Sequence, residues 1–329
     1  MTHLTFAEAI IVGLIQGTTE LFPVSSLGHN VLIPALVGGS WAKDLDVGQT
    51  ESPYLAFIVG LHVATAIGIT AYFWRDWVRI IGGFFSSIVR REVKTTDQKL
   101  AWMIVLATIP VGLVGLVFEH KFRVIFAVPS RAAIFLVVNG VILYAGERFR
   151  TRKSREADER VLREREGEPA LAGARVGGAH SSGQRAVRQQ EIVTAVQADR
   201  RITSFGFWQA ILIGSAQILA LLAGISRDGV TMVAGMFRGM SREDAARFAF
   251  LLATPVILAA GVLKIPDLLG PLGNGIRPQI LAGSIVSGVA AYLSVRFLMK
   301  YFQTRTLTPF AIYCLVFGLA SFVYLTVVK

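Results

Sequence analysis

Two short polar clusters interrupt a chain that is otherwise rich in apolar residues. The reactive members of the first cluster are Gln16, Glu20, Ser25, Ser26 and His29. Glu20 could hold a divalent cation or act as a general base, and His29 could serve as base, acid or nucleophile. Such groups are unfavourable in hydrocarbon unless they face a cavity or bind something polar. We therefore interpret the first cluster as part of a functional site.

The second cluster contributes Ser226, Arg227, Asp228, Gly229 and Thr231. An arginine presents a planar fork that matches phosphate oxygens. Hydroxyl groups and glycine N–H groups add donors, and a helix that begins at either cluster directs its positive end toward the site. The two clusters together favour a phosphorylated anion, although binding alone needs the same groups as hydrolysis.

An internal repeat relates the two clusters. The residues that match at one constant offset, without gaps, are Gly13 with Gly214, Gln16 with Gln217, Leu21 with Leu222, Ser25 with Ser226 and Gly28 with Gly229. Matches of this kind indicate two copies of one structural unit. We therefore expect the second cluster to be the structural partner of the first.

Composition places the chain among integral membrane proteins. Hydrophobic residues make up 53% of its 329 residues, and the mean hydropathy is +0.56, both above the values of typical soluble domains. The formal net charge of +11 suggests nucleic acid at first, but Arg and Lys are concentrated in a few loops between apolar segments. The positive-inside rule explains that arrangement, so we expect no nucleic-acid partner.

The apolar segments define the helices that position the clusters. Each cluster lies between two apolar pieces that are too short to cross a bilayer, which predicts a re-entrant helical hairpin at each. Three longer segments follow each hairpin: residues 54–74, 100–118 and 131–144, then residues 245–264, 279–299 and 307–328. The predicted fold is an all-α polytopic bundle of six spanning helices and two re-entrant hairpins. Because three is odd, the second half is inverted relative to the first.

The predicted division is a first repeat over residues 1–148, a charged linker over residues 149–202 and a second repeat over residues 203–329. The basic loop at residues 75–99 indicates the cytoplasmic side, where the linker also lies, and the Arg/Glu run of the linker is typical of a solvated helix. Both termini are then outside. The two hairpins enter from opposite faces and meet near the middle of the membrane.

Several of these residues have structural interpretations as well. Gln16 and Gln217 could be interhelical hydrogen-bonding residues, and Ser25 and Ser226 could cap the inner helices. His62, alone on an apolar helix, is interpreted as a hydrogen-bonding residue that faces the bundle. A buried ion-pair network is the alternative for the ionisable residues Glu20, His29 and Arg227.

The two clusters resemble the signature motifs of the undecaprenyl-diphosphate phosphatase family, which is also known for bacitracin resistance. The first motif is Glu/Gln-Gly-x-x-Glu followed by Pro-Val-Ser-Ser-x-Gly-His, and it is met by Gln16, Gly17 and Glu20 and by residues 23–29. The second, Pro-Gly-x-Ser-Arg-Ser-Gly-x-Thr, corresponds to Ala-Gly-Ile-Ser-Arg-Asp-Gly-Val-Thr at residues 223–231. The resemblance covers both halves of the chain but not the linker.

The resemblance implies an enzyme of the cytoplasmic (inner) membrane, with its active site open to the outer side. The enzyme would hydrolyse undecaprenyl diphosphate to undecaprenyl phosphate and inorganic phosphate, and so recycle the lipid carrier for peptidoglycan synthesis. Either Ser26 or His29 would be the nucleophile or base, and Mg²⁺ or Ca²⁺ would be required. The implied catalytic residues are Glu20, Ser26, His29 and Arg227, the implied substrate-binding residues are Ser25, Ser226, Gly229 and Thr231, and the candidate metal ligands are Glu20, Gln16 and Asp228.

The chain departs from the family pattern at three positions. Gln16 leaves a single carboxylate in the first motif, and Ala223 replaces a proline. Asp228 replaces a serine, and it could hold the metal or pair with Arg227. A transporter or flippase of a polyprenyl phosphate or related lipid phosphate is the alternative function, because inverted repeats with broken helices also build transporters. Besides the lipid substrate and the bilayer, a homodimer partner is left open.

Overall fold

A computed structural model of the protein describes residues 4–45, 53–126, 128–166, 195–270 and 275–328. Within these residues all regular secondary structure is helical, as predicted. The helices are α1 (Phe6–Thr19), α2 (Ser26–Val37), α3 (Gly39–Asp44), α4 (Pro53–Tyr72), α5 (Trp74–Arg90), α6 (Thr96–Phe126), α7 (Pro129–Glu166), α8 (Ala195–Thr203), α9 (Phe207–Ser215, continued by the 3-10 helix Ala216–Leu221), α10 (Arg227–Phe237), α11 (Arg242–Leu269), α12 (Arg277–Thr304) and α13 (Thr308–Val323, continued by the π-helical turn Tyr324–Val328).

Each polar cluster contains a break between two short helices. α1 begins with a capping box, in which the Thr5 hydroxyl accepts a hydrogen bond from the Glu8 N–H and the Glu8 carboxylate accepts one from the Thr5 N–H. α1 and α2 have 14 and 12 residues, whereas about 20 helical residues are needed to cross a bilayer. α9 and α10 repeat this arrangement at the second break. The expected pairs of short helices are therefore confirmed.

The longer helices make the protein a polytopic membrane protein. By length and composition, five helices within the described residues can cross a membrane: α6, α7, α11, α12 and α13. Two further pairs are bent, α4 with α5 by 88° and α8 with α9 by 97°. If each bent pair is counted as one span, the number rises to 7. The count of six spans stays a prediction within that range.

The predicted linker is helical at both of its ends. α7 continues to Glu166, so the alternating Arg and Glu residues extend a membrane-spanning helix beyond its apolar part. The last residues of the linker form α8. Residues 167–194, which contain the Gly- and Ala-rich piece, lie outside the described residues.

Repeat-matched glycines let the short helices pack closely against spanning helices. A Cβ atom on Gly13 of α1 would lie 2.4 Å from the carbonyl oxygen of Gly283 on α12. A Cβ atom on Gly214 of α9 would lie 2.1 Å from the carbonyl oxygen of Ala107 on α6. Neither position accepts a larger side chain without a shift of backbone. Both glycines are therefore packing residues that hold the short helices inside the bundle.

Ion pairs connect several helix termini at one end of the bundle. Arg247 of α11 contacts Asp76 of α5 and Asp199 of α8, each at 2.9 Å, and Arg79 contacts the same two carboxylates. Further pairs at this end are Arg79 with Asp97, Arg201 with Asp244, and Arg242 with Glu147. These ion pairs therefore bring α8 together with the starts of α5, α6 and α11.

Candidate active site

The two breaks meet inside the bundle at Asn139, a fully buried residue of α7. Its Nδ2 donates a hydrogen bond to the carbonyl oxygen of Pro23 in the first break (2.9 Å), and its Oδ1 accepts one from the Ser226 N–H in the second (3.0 Å). The Gly224 N–H also donates to the hydroxyl of Ser25 (3.2 Å). The repeat predicted that the two clusters come together, and these contacts confirm it.

Glu20 is the centre of the site. It follows α1 directly, and its side chain is only 6% exposed. Arg227 reaches it from the second break, with Nη2 2.6 Å from Oε1. Gln16, one helical turn earlier, donates through Nε2 to Oε2 (2.8 Å), and the Ser26 hydroxyl donates to the same oxygen. One carboxylate thus joins a guanidinium from one copy of the repeat to a hydroxyl from the other.

The amide of Gln16 is oriented by Asn30. Asn30 donates through Nδ2 to Gln16 Oε1 (2.6 Å), which directs Gln16 Nε2 toward Glu20. Gln16 therefore links α1 to α2 as an interhelical hydrogen-bonding residue and contacts the centre of the site as well. Within the described residues, its repeat partner Gln217 donates only to the carbonyl of Gly214 (3.3 Å), in its own helical segment. Gln217 therefore does not show the interhelical hydrogen bond that its sequence context suggested.

Ser25 and Ser226 cap the helices that leave the two breaks. The Ser25 hydroxyl accepts a hydrogen bond from the Gly28 N–H (3.2 Å), and the Ser226 hydroxyl accepts one from the Gly229 N–H (3.1 Å). Ser25 has a φ of 68°, a left-handed conformation that is uncommon for a residue with a side chain. The capping interpretation is confirmed for both serines, and direct contact with phosphate stays a prediction.

Asp228 is a second acidic neighbour of Arg227. It is 1% exposed, and its Oδ1 lies 3.7 Å from Arg227 Nε. Within the described residues, neither oxygen of Asp228 accepts a hydrogen bond. Arg227 is therefore placed between the carboxylates of Glu20 and Asp228. Thr231, one turn further along α10, donates its hydroxyl hydrogen to the Arg227 carbonyl oxygen (2.8 Å).

His29 lies apart from the Glu20 carboxylate. Its Nδ1 donates to the Ser25 carbonyl oxygen (2.7 Å), and its Nε2 accepts a hydrogen bond from the hydroxyl of Tyr313 on α13 (2.7 Å). The ring also stacks on Tyr313 and Phe317, with centroid distances of 5.7 and 5.3 Å. Both ring nitrogens are thus engaged, Nδ1 within the first turn of α2 and Nε2 in a contact that fixes α2 to α13. A catalytic role for His29 stays a prediction.

His62 belongs to the site, although its sequence context indicated only hydrogen bonding within the bundle. Its Nδ1 bonds to the carbonyl oxygen of Ile58 (2.8 Å), and its Nε2 lies 3.4 Å from Glu20 Oε2. An ionisable residue in an apolar span was the available signal for His62, and a polar amide in an apolar span was the signal for Asn139. Neither signal identifies the partner across the bundle.

The fit of a divalent cation can be judged from the donor atoms. The described residues contain no group of three His, Cys, Asp or Glu side chains that could hold a metal ion. Mg²⁺ often needs fewer protein ligands, because it keeps several waters and binds substrate phosphates as well as one or two carboxylates. Asp228 fits such a cation best, because neither of its oxygens accepts a hydrogen bond within the described residues. Glu20 keeps a lone pair on Oε1, which accepts a bond from Arg227, whereas Gln16 offers a neutral oxygen that already accepts a hydrogen bond from Asn30.

The fold and the site define a polytopic helical membrane protein in which two helix breaks bring a carboxylate, a hydroxyl and a guanidinium together. Comparison with known sequences then identifies the family. The chain matches the family described as "Bacitracin resistance protein BacA" over residues 9–320, and it belongs to that family.

Relatives with assigned names match the chain over nearly its full length. "Undecaprenyl-diphosphatase" of Mycolicibacterium paratuberculosis is 58% identical over 323 residues, which is 98% of each chain. "Undecaprenyl-diphosphatase 2" of Frankia alni is 52% identical and covers 97% of each chain. A protein of the same name from Burkholderia orbicola is 37% identical, covering 94% of this chain and 93% of its own.

Proposed function

We propose that this protein is a membrane phosphatase that hydrolyses undecaprenyl diphosphate to undecaprenyl phosphate and inorganic phosphate. The reaction recycles the lipid carrier for cell-wall synthesis. The names of full-length relatives in the BacA family support this activity. The main structural support for hydrolysis is the contact of Arg227 with Glu20. This contact brings a phosphate-binding guanidinium beside a carboxylate that already accepts a hydrogen bond from Ser26.

Ser26 is the nucleophile in this proposal, and Glu20 is its base. The Ser26 oxygen attacks the terminal phosphorus, its proton passes to Glu20, and the bond to the bridging oxygen breaks, so that undecaprenyl phosphate leaves. A water molecule then cleaves the phosphoserine and releases inorganic phosphate. The orientation of the Ser26 hydroxyl toward Glu20 supports this choice over His29, whose two nitrogens are engaged by Ser25 and Tyr313.

Arg227 binds the diphosphate and stabilises the charge that develops during transfer. A guanidinium has five N–H donors, and the hydrogen bond to Glu20 uses Nη2. Its Nε has no hydrogen bond within the described residues. Donors therefore remain for phosphate oxygens, and they lie beside the first turn of α10. The positive end of that helix adds to the attraction for an anion.

A divalent cation, Mg²⁺ or Ca²⁺, is the proposed cofactor. Glu20 and Asp228 would hold it, because they are the carboxylates that the two breaks bring to the site. When bound, the cation would neutralise charge on the diphosphate. The oxygens of Asp228, which accept no hydrogen bond from any described residue, support this assignment.

The proposed topology has six spans, two re-entrant hairpins and an inverted repeat formed by residues 1–148 and 203–329, with both termini outside. The ion pairs at one end of the bundle support it, because they join the basic segment at residues 75–99, which comprises α5, a short connection and the start of α6, to the start of α11. The site then opens to the outer side of the inner membrane. Labelling with a membrane-impermeant thiol reagent tests this orientation. The chain has one cysteine, so Cys314→Ser provides a cysteine-free background. In that background Lys94→Cys should be protected from the reagent in intact cells.

Transport of a lipid phosphate is the second candidate function, supported by the two pairs of short helices that meet inside the bundle.

One assay separates hydrolysis from transport. Purified protein in detergent is given undecaprenyl diphosphate and Mg²⁺, and inorganic phosphate is measured, with Ser26→Ala as the control. We expect release by the wild type and none by the variant. Absence of release with either Mg²⁺ or Ca²⁺, while the lipid still binds, would replace hydrolysis by transport.

A further inference from the structure

The Glu20 carboxylate has a neighbour that belongs to neither break. His62 lies on α4, and its Nε2 is 3.4 Å from Glu20 Oε2, the oxygen that also accepts hydrogen bonds from Gln16 and Ser26. Arg227 bonds to the other oxygen, Oε1. The carboxylate is therefore held on one side by the second break and on the other side by a helix outside both breaks.

The orientation of the His62 ring is set by its own helix. Its Nδ1 lies 2.8 Å from the Ile58 carbonyl oxygen. Because a carbonyl oxygen only accepts hydrogen bonds, Nδ1 carries a hydrogen, and Nε2 is the nitrogen that faces Glu20. Nε2 donates to the carboxylate when it carries a hydrogen as well, so the form of His62 that holds Glu20 is the imidazolium. The His62 side chain is 27% exposed, compared with 6% for Glu20. His62 is therefore placed at the accessible edge of the site and is not a packed core residue.

Substrate binding changes which neighbours hold Glu20. Phosphate oxygens compete with the carboxylate for the donors of Arg227, because charge-assisted hydrogen bonds to phosphate are strong. When phosphate oxygens engage the remaining donors of Arg227, its charge is shared between two anions and its hold on Glu20 Oε1 weakens. His62 and the neutral amide of Gln16 then remain to hold the carboxylate through Oε2.

We propose that His62 is a positioning residue that keeps the Glu20 carboxylate directed at Ser26 while the diphosphate occupies Arg227. This inference rests on the roles of Glu20, Ser26 and Arg227 in the proposed function. Because His62 acts through Glu20 and only after substrate has engaged Arg227, its loss should affect turnover and leave substrate affinity nearly unchanged.

The test compares His62→Leu with His62→Gln by steady-state release of phosphate from undecaprenyl diphosphate at saturating Mg²⁺. Leucine has no donor, whereas glutamine places an N–H donor at a similar reach. We expect His62→Leu to lower kcat on the order of 10- to 100-fold, with KM changed by less than about twofold, because small misplacements of a reacting group have effects of this size. We expect His62→Gln to recover most of the lost turnover.

Thr65→Val is the matched control on the same helix. Thr65 is fully buried and bonds to the Leu61 carbonyl oxygen and to Ser287 of α12, so it connects helices and does not contact Glu20. All variants are compared for monodispersity and thermal unfolding in detergent. If His62→Leu is unstable, His62→Asn takes its place, because its shorter amide does not reach Glu20.

Three results would overturn the role of His62: wild-type kcat in His62→Leu, equal losses in His62→Leu and His62→Gln, or a raised KM with unchanged kcat. Failure of the underlying site is recognised separately. Wild-type turnover in Ser26→Ala contradicts the proposed site itself. An inactive Ser26→Ala together with an unaffected His62→Leu contradicts only the role of His62.

Discussion

The two helix breaks share one backbone plan but present different chemistry. In each break a serine caps the inner helix, Ser25 in the first and Ser226 in the second. The next residue begins the helix in both copies, and it is Ser26 in the first break and Arg227 in the second. The same position at a helix N-terminus therefore presents a hydroxyl in one copy and a guanidinium in the other.

The segments that lead into the breaks differ more strongly. α1 stays α-helical to its end, so Gln16 and Glu20 are one turn apart and hydrogen-bonded. The matching segment after α9 tightens into a 3-10 helix. There the hydrogen bond that Gln217 makes with the described residues stays within its own segment, and Leu221 stands at the position that corresponds to Glu20. The repeat thus supplies two similar anchors, and the reactive groups are divided between them. Neither copy holds the carboxylate and the guanidinium together.

Removal of the guanidinium should have the largest effect, because it deletes the contribution of the second copy. We expect Arg227→Ala to lower kcat/KM on the order of 10³-fold, the lower range for an arginine that stabilises a transferred phosphoryl group. Arg227→Lys keeps the positive charge but loses the planar guanidinium that can bind two phosphate oxygens at once, so it should retain more activity than Arg227→Ala. Phosphate release measures both variants. Near-normal turnover in Arg227→Ala would show that the second break does not provide the anion site.

The carboxylate is the corresponding group of the first copy. We expect Glu20→Gln to lower kcat by about 10²-fold or more, since an amide cannot accept the Ser26 proton. Glu8→Gln is a matched control, because Glu8 lies in the capping box at the opposite end of α1. The control should lose stability without a comparable loss of turnover in the same assay. Equal losses of kcat in the two variants would contradict a base at position 20.

Local patterns predicted the elements that enclose the site. The apolar segments predicted the short helices on both sides of each break, and the serine positions predicted the two caps, because both depend on residues close in sequence. The meeting of the breaks followed from the repeat. These predictions needed no knowledge of side-chain packing between distant helices.

Partners across the bundle could not be predicted in this way. Asn139, His62 and Tyr313 each lie in an apolar helix, and their contacts with the two breaks depend on how those helices rotate and pack. The same limit applies to His29, whose motif position indicated the reacting centre but whose ring faces α13. Sequence spacing identifies residues on one helix face, whereas packing decides what that face meets.

The repeat-matched glutamines give a smaller and more selective test of the comparison. We expect Gln16→Ala to lower kcat roughly tenfold, because the loss of a buried hydrogen bond to a charged group corresponds to about 1.5 kcal/mol. Gln217→Ala should stay within about twofold of the wild type, since within the described residues the hydrogen bond of Gln217 goes to Gly214 and to no residue of the site. The kcat values of the two variants are compared by measuring phosphate release in parallel. Similar losses in both variants would mean that the two copies contribute equally at this position.

Asp228→Ser should have the smallest effect. It tests the buried carboxylate of the second break, which has no counterpart in the first break, where Leu27 occupies the matching position. Within the described part of the chain the buried Asp228 carboxylate accepts no hydrogen bond and lies 3.7 Å from the guanidinium, which is unfavourable unless a further group binds it. If a divalent cation binds Asp228, Asp228→Ser should raise the Mg²⁺ concentration for half-maximal phosphate release by a few-fold. This change corresponds to a loss of roughly 1 kcal/mol in the free energy of cation binding. Arg227 and Glu20 remain, so turnover at saturating Mg²⁺ should change little. Higher turnover with an unchanged Mg²⁺ requirement would instead show that Asp228 only opposes phosphate binding.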